Sequence, residues 1–507
     1  MTSDSDHELL ETPDGVPAKA WIRGVALALL TGCSSLVHVP GLPPVPPEVL
    51  DRSFTPAELA EDTSQFFAFL EEIHPDPYRD IPREEMDARR QAMIAGLDRP
   101  LSRREFQPRL AELVASLGDG HTSVYLPLEE FRSAEDGAAK AFPIDVSWTG
   151  GELIVRRTAI VTERGSLGPG ARVLAIGGRT APELVQSFLA QTSGESEAFR
   201  VARVENHFAA RLWLAGLRAP FRTKIASALD PSHVFEIDLS GMPLEAVPRG
   251  ESPGAGAPWR LERRPDGAAV LTIDTMARDL DVFEDFLEPA FASLASEPPS
   301  ALIVDLRRNG GGDSRLGDEL LQYLSDRAWR QVACKEWKSS APLKRHLKSL
   351  LPAWIRWMPL QYLHPMGRKL WNAPEGRIVV FEDERQRPRE EPRRYRGPLA
   401  WLIGPGTFSS AVSLAAGAED CGRGLLVGAE TGGMVNGFGE VIPFRLEHTQ
   451  LGAQISTAFF VRAGGDRSVR GGVRPSLVVR PEPGQAGDPV LEAAIGALSA
   501  TDASARP

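Results

Sequence analysis

The sequence predicts an α/β protein in which helices come first, short strands follow, and a helix-covered sheet closes the chain. Three observations carry that prediction. Residues 54–118 hold two capped helical starts with apolar residues at helical spacing, residues 142–247 hold short apolar runs set off by glycine pairs, and from residue 259 apolar strands alternate with helix-like segments. At 507 residues the chain has room for about three domains. Its 42% hydrophobic and 25% charged residues are those of a globular protein with a sizeable core. A formal charge of −11 supplies no basic field for a phosphate backbone, which argues against nucleic acid as partner. No run of about 18 apolar residues occurs, so no segment reads as a membrane-spanning helix.

Taken in order, residues 1–33 read as a lipoprotein-type signal. The run Val25, Ala26, Leu27, Ala28, Leu29, Leu30 follows Lys19 and Arg23 and ends at Cys33, the residue that would be acylated. The acidic stretch Met1–Asp14 departs from a basic signal start, and the alternative is a plain tail ending in an inert Cys33. Residues 34–53, with Pro40, Pro43, Pro44, Pro46 and Pro47, read as an extended linker. Over 54–125 a helical bundle is expected. Thr55, Pro56 and Glu58 make a capping-box start for a helix carrying Leu59, Phe66, Phe67, Leu70 and Ile73 and ending before Pro75. Ser102 to Glu105 opens a second helix, striped by Phe106, Leu110, Leu113, Val114 and Leu117 and closed by Gly118.

Residues 126–250 read as a small strand-rich subdomain, with strands at Leu153–Val155 and Arg172–Ile176 and helices at Ala181–Leu189 and Arg200–Leu214. The Gly- and Pro-rich run Glu251–Pro258 marks a boundary. Residues 259–500 form the α/β core, with strands at Ala268–Ile273, Ala301–Val304, Ile378–Phe381, Leu399–Ile403 and Gly424–Val427.

The chain lacks a Gly-x-Ser-x-Gly elbow, a Walker loop, a His-Glu-x-x-His helix and a complete dinucleotide fingerprint. Three clusters remain. In Gly118-Asp119-Gly120-His121-Thr122 a histidine follows a small turn, so it is a candidate general base or a structural hydrogen-bonding residue. In Asp305 to Asp313 a buried strand runs into Gly310, Gly311 and Gly312 and then a helix, which offers backbone N–H groups for an oxyanion or makes a plain tight turn. In Gly404 to Ala411, Ser409 and Ser410 stand at a strand-to-helix turn, where a serine is a nucleophile at the positive end of a helix or simply an N-cap.

In this order the clusters resemble the C-terminal processing, or tail-specific, family of serine peptidases. The resemblance spans about residues 54–497 and includes His74-Pro75, Gly-Asp-Gly-His-Thr, Asp-Leu-Arg-x-Asn-x-Gly-Gly, Thr-Phe-Ser-Ser-Ala, Val427-Gly428 with Thr431-Gly432-Gly433, and Gly472-Val473-x-Pro475. It implies a crotonase/Clp-protease-like β-β-α catalytic core, with residues 126–250 as a small PDZ-like module. It also implies Ser409 as nucleophile, with Ser410 and Gly311 supplying the oxyanion-hole N–H groups. Where the family's lysine base would stand, 25 positions after the nucleophile, the chain has Met434, and no lysine follows Lys369. The resemblance therefore moves to the tricorn-like branch, in which a histidine, here His121, is the base. The acid that would orient His121 stays open among Glu440, Glu430 and Asp119, in that order. Ser476 stands where an aspartate is usual.

The resulting expectation is a serine peptidase of the cell envelope, acting without metal or cofactor on peptides or unfolded protein termini and able to be lipid-anchored at Cys33. A cytoplasmic location is the alternative. A non-catalytic peptide- or ligand-binding relative and an esterase are the rival functions. The Trp329–Trp371 segment, dense in tryptophan and basic residues, reads as a packed lid or as a stretch lying on an anionic membrane. Glu382–Arg396 reads as a solvated loop, and Cys334 and Cys421 as separate buried thiols.

Overall fold

A computed structural model describes residues 42–505 apart from 132–139, 157–159, 163–164, 244–256, 352–355, 482–484 and 486. The signal reading, Cys33 included, residues 34–41 of the linker, most of the Glu251–Pro258 boundary and Trp354 lie outside the described residues. The rest of the linker is not wholly extended: Pro47–Leu50 form a short helix with proline at its first turn, where the missing N–H costs nothing, and Ser53–Phe54 pair with Leu101–Ser102.

The helix Pro56–Ile73 begins where the capping box requires: Thr55 N–H donates to Glu58 Oε2 at 2.8 Å, and Glu58 N–H returns a bond to the Thr55 hydroxyl. It stops at an extended His74, as a residue preceding proline should. Arg103–Ala115 starts on the matching Ser102/Glu105 box. Between them lies a helix the sequence reading passed over, Arg83–Ala95, whose single buried residue, Met86, leaves almost no apolar stripe to detect. These helices do not close a core among themselves. Phe66, Leu70, Phe106 and Leu110 share one core with Leu446, Leu451, Ala453 and Ile455 from the far end of the chain.

That partner surface belongs to an antiparallel sheet of Ile378–Glu382, Val332–Lys338, Gly452–Arg462 and Gly437–Arg445, to which Ser123–Val124 adds beside Gly452–Arg462. The Ile378 strand was expected in the α/β core; only alternate residues of it are buried, which suits a sheet with one packed face. The Trp-bearing segment enters this sheet as Val332–Lys338, buries Trp329 and Trp337, and continues as the helices Ala341–Ser349 and Pro365–Trp371 packed around Trp337, Val379 and Phe381.

A second antiparallel sheet runs Val234–Leu239, Phe221–Ala226, Arg172–Ile176, Glu152–Val155, Val146–Thr149, and the helix Ala181–Ala190 shares its core. The expected Arg200–Leu214 helix is two, Glu197–Asn206 and Phe208–Leu214, divided at a non-helical His207.

The central sheet is ordered Trp259–Arg263, Ala269–Ile273, Leu302–Asp305, Leu399–Ile403, Leu425–Gly428, Leu477–Val478; only the first pairing is antiparallel. Leu280–Ser296, Ser314–Leu324 and Ser410–Asp420 cover one face, and Val490, Ala494 and Leu498 of the C-terminal helix Pro489–Ala505 cover the other. Coverage on both faces explains the uninterrupted apolar strands Ala269–Ile273 and Leu399–Ile403. No described helix is long and apolar enough to cross a membrane.

Candidate active site

Two adjacent parallel strands of the central sheet end side by side and each turns into a helix. Leu302–Asp305 leads into the triple-glycine turn, and Leu399–Ile403 leads into the turn that carries Ser409. The two turns are tied together: Phe408 N–H donates to Asn309 O at 2.9 Å, the Thr407 hydroxyl to Leu306 O at 2.8 Å, and the Ser410 hydroxyl to Gly312 O at 2.8 Å. Ser409 is held at φ 56° and ψ −129°, a conformation that L-residues rarely adopt, directly before the helix Ser410–Asp420. This sharp turn leaves its side chain half-buried at a helix N-terminus, where the helix dipole favours developing negative charge.

The glycines allow the close approach. A Cβ on Gly311, which has φ +95°, would lie 2.6 Å from Ser409 Cβ and 2.8 Å from Phe408 O. Gly311 N–H donates to Asn309 Oδ1 at 2.9 Å, so that group is engaged within the turn.

The histidine loop is fixed from a different direction. Asp119 accepts from His121 N–H at 2.8 Å and from the Ser456 hydroxyl at 2.6 Å, and its Oδ2 lies 3.2 Å from His74 Nε2. Because His74 Nδ1 accepts from Asp76 N–H, His74 Nε2 is the nitrogen left to carry the proton and donate to Asp119. Burial works to raise the Asp119 pKa, but His74, His121 and Ser456 outweigh it and hold the carboxylate ionised well below its ordinary range. Gln454 Nε2 donates to His121 O at 2.7 Å, tying the loop to the Gly452–Arg462 strand.

His121 stacks on Phe408, the residue before Ser409, with ring centroids 4.4 Å apart, and Phe199 also stacks on Phe408, with centroids 4.1 Å apart. Both His121 ring nitrogens are buried and make no hydrogen bond, and burial, opposed by Asp119, lowers its pKa from 6.5 to about 4. The imidazole is therefore neutral at neutral pH, with a lone pair available.

Glu195, which the sequence reading did not single out, converges here. One oxygen of Glu195, one of Asp119 and a ring nitrogen of His121 all lie within 4.8 Å of one another. A Cβ on Gly120 would stand 2.7 Å from Glu195 Oε2, so any side chain there would displace the Glu195 carboxylate. Burial, reinforced by Asp119, pushes Glu195 up to about 8. The three donors have the chemistry to hold a divalent cation and equally to hold an imidazole in one orientation. Glu195 lies 74 residues beyond His121 in a polar turn, and no spacing rule could have found it.

The other expected acids are placed differently. Glu440, at φ +47°, accepts from Lys335 Nζ at 2.6 Å and Trp337 Nε1 at 2.7 Å, while its neighbour Gly439 is the residue that faces the His121 ring. Alternation along the strand Gly437–Arg445 puts the two on opposite faces. Glu430 accepts from Gly472 N–H at 2.7 Å. Among the described residues no hydrogen bond joins Ser409 to His121. Cys334 and Cys421 are buried and unbridged, as expected, and burial raises both thiol pKa values.

Residues 267–479 match the family model of peptidase family S41, a segment that includes the glycine turn and Ser409 but not His121. A comparison with curated protein sequences finds no match. The fold is similar to a solved structure of mature CPAF complexed with lactacystin, at 16% identity, TM-score 0.62, covering 88% of this chain and 97% of that one. It is also similar to a structure of mature CPAF, at 16% identity, TM-score 0.56, covering 83% and 92%. The photosystem II D1 C-terminal processing protease aligns at 15% identity and TM-score 0.43, covering 87% and 97%. Residues 267–479 are thus similar to peptidase family S41, and that likeness supports a serine peptidase at the level of the family.

Proposed function

We propose that this protein hydrolyses peptides or unfolded protein termini with Ser409 as nucleophile and His121 as general base. The observation that carries the reading is the strained Ser409 at a helix N-terminus, pressed against a glycine turn, with a neutral, unpartnered imidazole stacked on the adjacent residue. Ser409 Oγ attacks the amide carbonyl as its proton passes to His121. The tetrahedral oxyanion is received by Ser410 N–H and by an N–H of the glycine turn. Gly311 was the expected donor; with its N–H bound to Asn309, it serves only if that bond yields, and Gly310 and Gly312 are its neighbours in the same turn. His121 then returns the proton to the leaving amine, and water releases the acyl group.

For the acid that holds the imidazole, the proposal favours Asp119 and Glu195, whose oxygens cluster with the His121 nitrogen, over Glu440 and Glu430, whose carboxylates have other donors. Residues 126–250 are proposed as the PDZ-like module, supported by an antiparallel sheet with a helix packed on it. The tricorn-like assignment rests on Met434 replacing the lysine, and the cell-envelope location on the Cys33 motif.

A fluorophosphonate probe tests the chemistry. Covalent labelling of the intact protein, absent from Ser409→Ala and strongly slowed in His121→Ala, is expected. An intact, folded protein that takes no label would favour the non-catalytic binder, a reading to which the lack of a Ser409–His121 hydrogen bond lends weight. Turnover of esters but no peptides would favour the esterase.

A further inference from the structure

A cavity of about 460 Å³ lies where the helix Arg103–Ala115, the segment just after His121, the helices Glu197–Asn206 and Phe208–Leu214, and the hairpin 443–452 meet. Four arginines line it: Arg103, Arg203, Arg211 and Arg445. Arg103 is 1% exposed and Arg211 6% exposed. Nε and Nη1 of Arg103 and Nε of Arg211 are buried without a hydrogen bond. So is Gln107 Oε1, from a residue on the same wall.

The counter-charges are three carboxylates, of which Glu195, shared with the His121 cluster, acts on Arg203. Glu130 Oε1 lies 3.3 Å from Arg103 Nε but in poor geometry, since both its oxygens also lack a hydrogen bond, and Glu129 lies 3.4 Å from Arg445. Among the described residues the Arg211 guanidinium has one bond, from Nη1 to Phe188 O at 3.4 Å. A guanidinium carries five donors, and burying several of them unmatched is unfavourable unless something else accepts. Burial lowers Arg211 from 12.5 to about 9, which still leaves it a cation at neutral pH. Planar forks converging on one space suit bidentate oxyanions, and the volume is that of a small organic molecule.

We propose that this cavity binds a small organic or inorganic polyanion, with two or more carboxylate or phosphate groups held by Arg103, Arg203 and Arg211. The site has a route to the catalytic loop. Arg203 stands over the Phe199 ring at 5.5 Å, and Phe199 stacks on Phe408, which stacks on His121. Resting on the hydrolase reading, a bound anion would offset the Arg203 charge that acts on His121 and so make the imidazole more basic.

Calorimetric titration of the intact chain with citrate and, separately, pyrophosphate reads binding without any turnover, so it stands apart from the question of hydrolysis. Saturable binding of at least one, with Kd below about 1 mM and weakening as salt is raised, is expected. Citrate alone would assign carboxylate chemistry, and pyrophosphate alone phosphate chemistry. Triethyl citrate, which lacks the charges, should not bind. Arg211→Gln should weaken binding about tenfold or more. Ser193→Glu, which adds a carboxylate to the cavity wall and removes no arginine, should abolish binding in a protein that circular dichroism shows to be folded. The proposal is overturned if neither anion binds, or if a folded Ser193→Glu protein binds as tightly as the parent. If binding is found but labelling of Ser409 is not, the cavity assignment holds and the hydrolase reading fails.

Discussion

Replacing Gly311 by alanine should distort the Ser409 turn while the fold survives. The new methyl would sit 2.6 Å from Ser409 Cβ, 2.8 Å from Phe408 O and 3.0 Å from Ser410 N, all closer than carbon contacts allow, and two of the three atoms belong to backbone. The φ of +95° adds strain for any residue with a side chain, about 1–3 kcal/mol. Overpacking adds about 1–3 kcal/mol. The sum, about 2–6 kcal/mol, is within the margin of a protein of ordinary stability of about 5–15 kcal/mol. Relief requires the Ser409 turn to move by several tenths of an ångström or more, and a misplacement near 1 Å costs about 100-fold in rate. Gly310→Ala is the matched control, because a Cβ there meets nothing within 4 Å and φ is not positive. Urea denaturation followed by fluorescence and the rate of fluorophosphonate labelling would be measured for both. A Gly311→Ala protein as stable and as reactive as Gly310→Ala would refute the packing argument.

The pH profile gives a second test: with His121 lowered to about 4, the acid limb of labelling or kcat/KM should have its midpoint near there instead of at the ordinary 6.5, and a midpoint above 6 would contradict a buried neutral base. Stability should follow the same group. Below 6.5 the unfolded chain takes up a proton that the folded His121 resists, so its contribution is lost as pH falls from 6.5 through 4, a slope that urea midpoints should show flattened in His121→Asn. Glu195, raised to about 8, has the opposite sign: its contribution is present below 4.5 and lost as pH rises through 8, which Glu195→Gln should remove. Asp62, fully buried, accepts from His448 N–H, Thr449 N–H and the Thr449 hydroxyl, so Asp62→Ala should lower the unfolding free energy by about 3 kcal/mol and Asp62→Asn by less. Thr55→Ala removes one half of a capping box and should cost about 1 kcal/mol in the same assay; no change would show that the cap contributes nothing.

Much of the local structure was legible because its cause is local. Thr55/Glu58 and Ser102/Glu105 announce helix starts through a side chain reaching three residues, and both boxes form. Leu399–Ile403 is apolar at every position because both faces of its sheet are covered. What was hidden depends on distant pairing. Nothing within Ile378–Glu382 says which sheet it joins, and nothing within Glu440 says that its carboxylate will meet Lys335, more than a hundred residues away. Ser409 and the glycine turn could be singled out because each is a compact strand-to-helix turn. Asp119, two residues before His121, could be singled out as well, but Glu195 could not, since it arrives from a distant segment and fits beside a glycine that leaves room for it.

The strand Gly452–Arg462 takes Ser123–Val124 as its neighbour and anchors the His121 carbonyl through Gln454, across 333 residues of chain. Ribosomal synthesis runs from the N-terminus, so the imidazole loop emerges long before the strand that will secure it. Loop closure over such a span is slow. A nascent or truncated chain that lacks Gly452–Arg462 therefore lacks the strand that secures the His121 loop, and on the proposed reading its chemistry waits for that strand to be made.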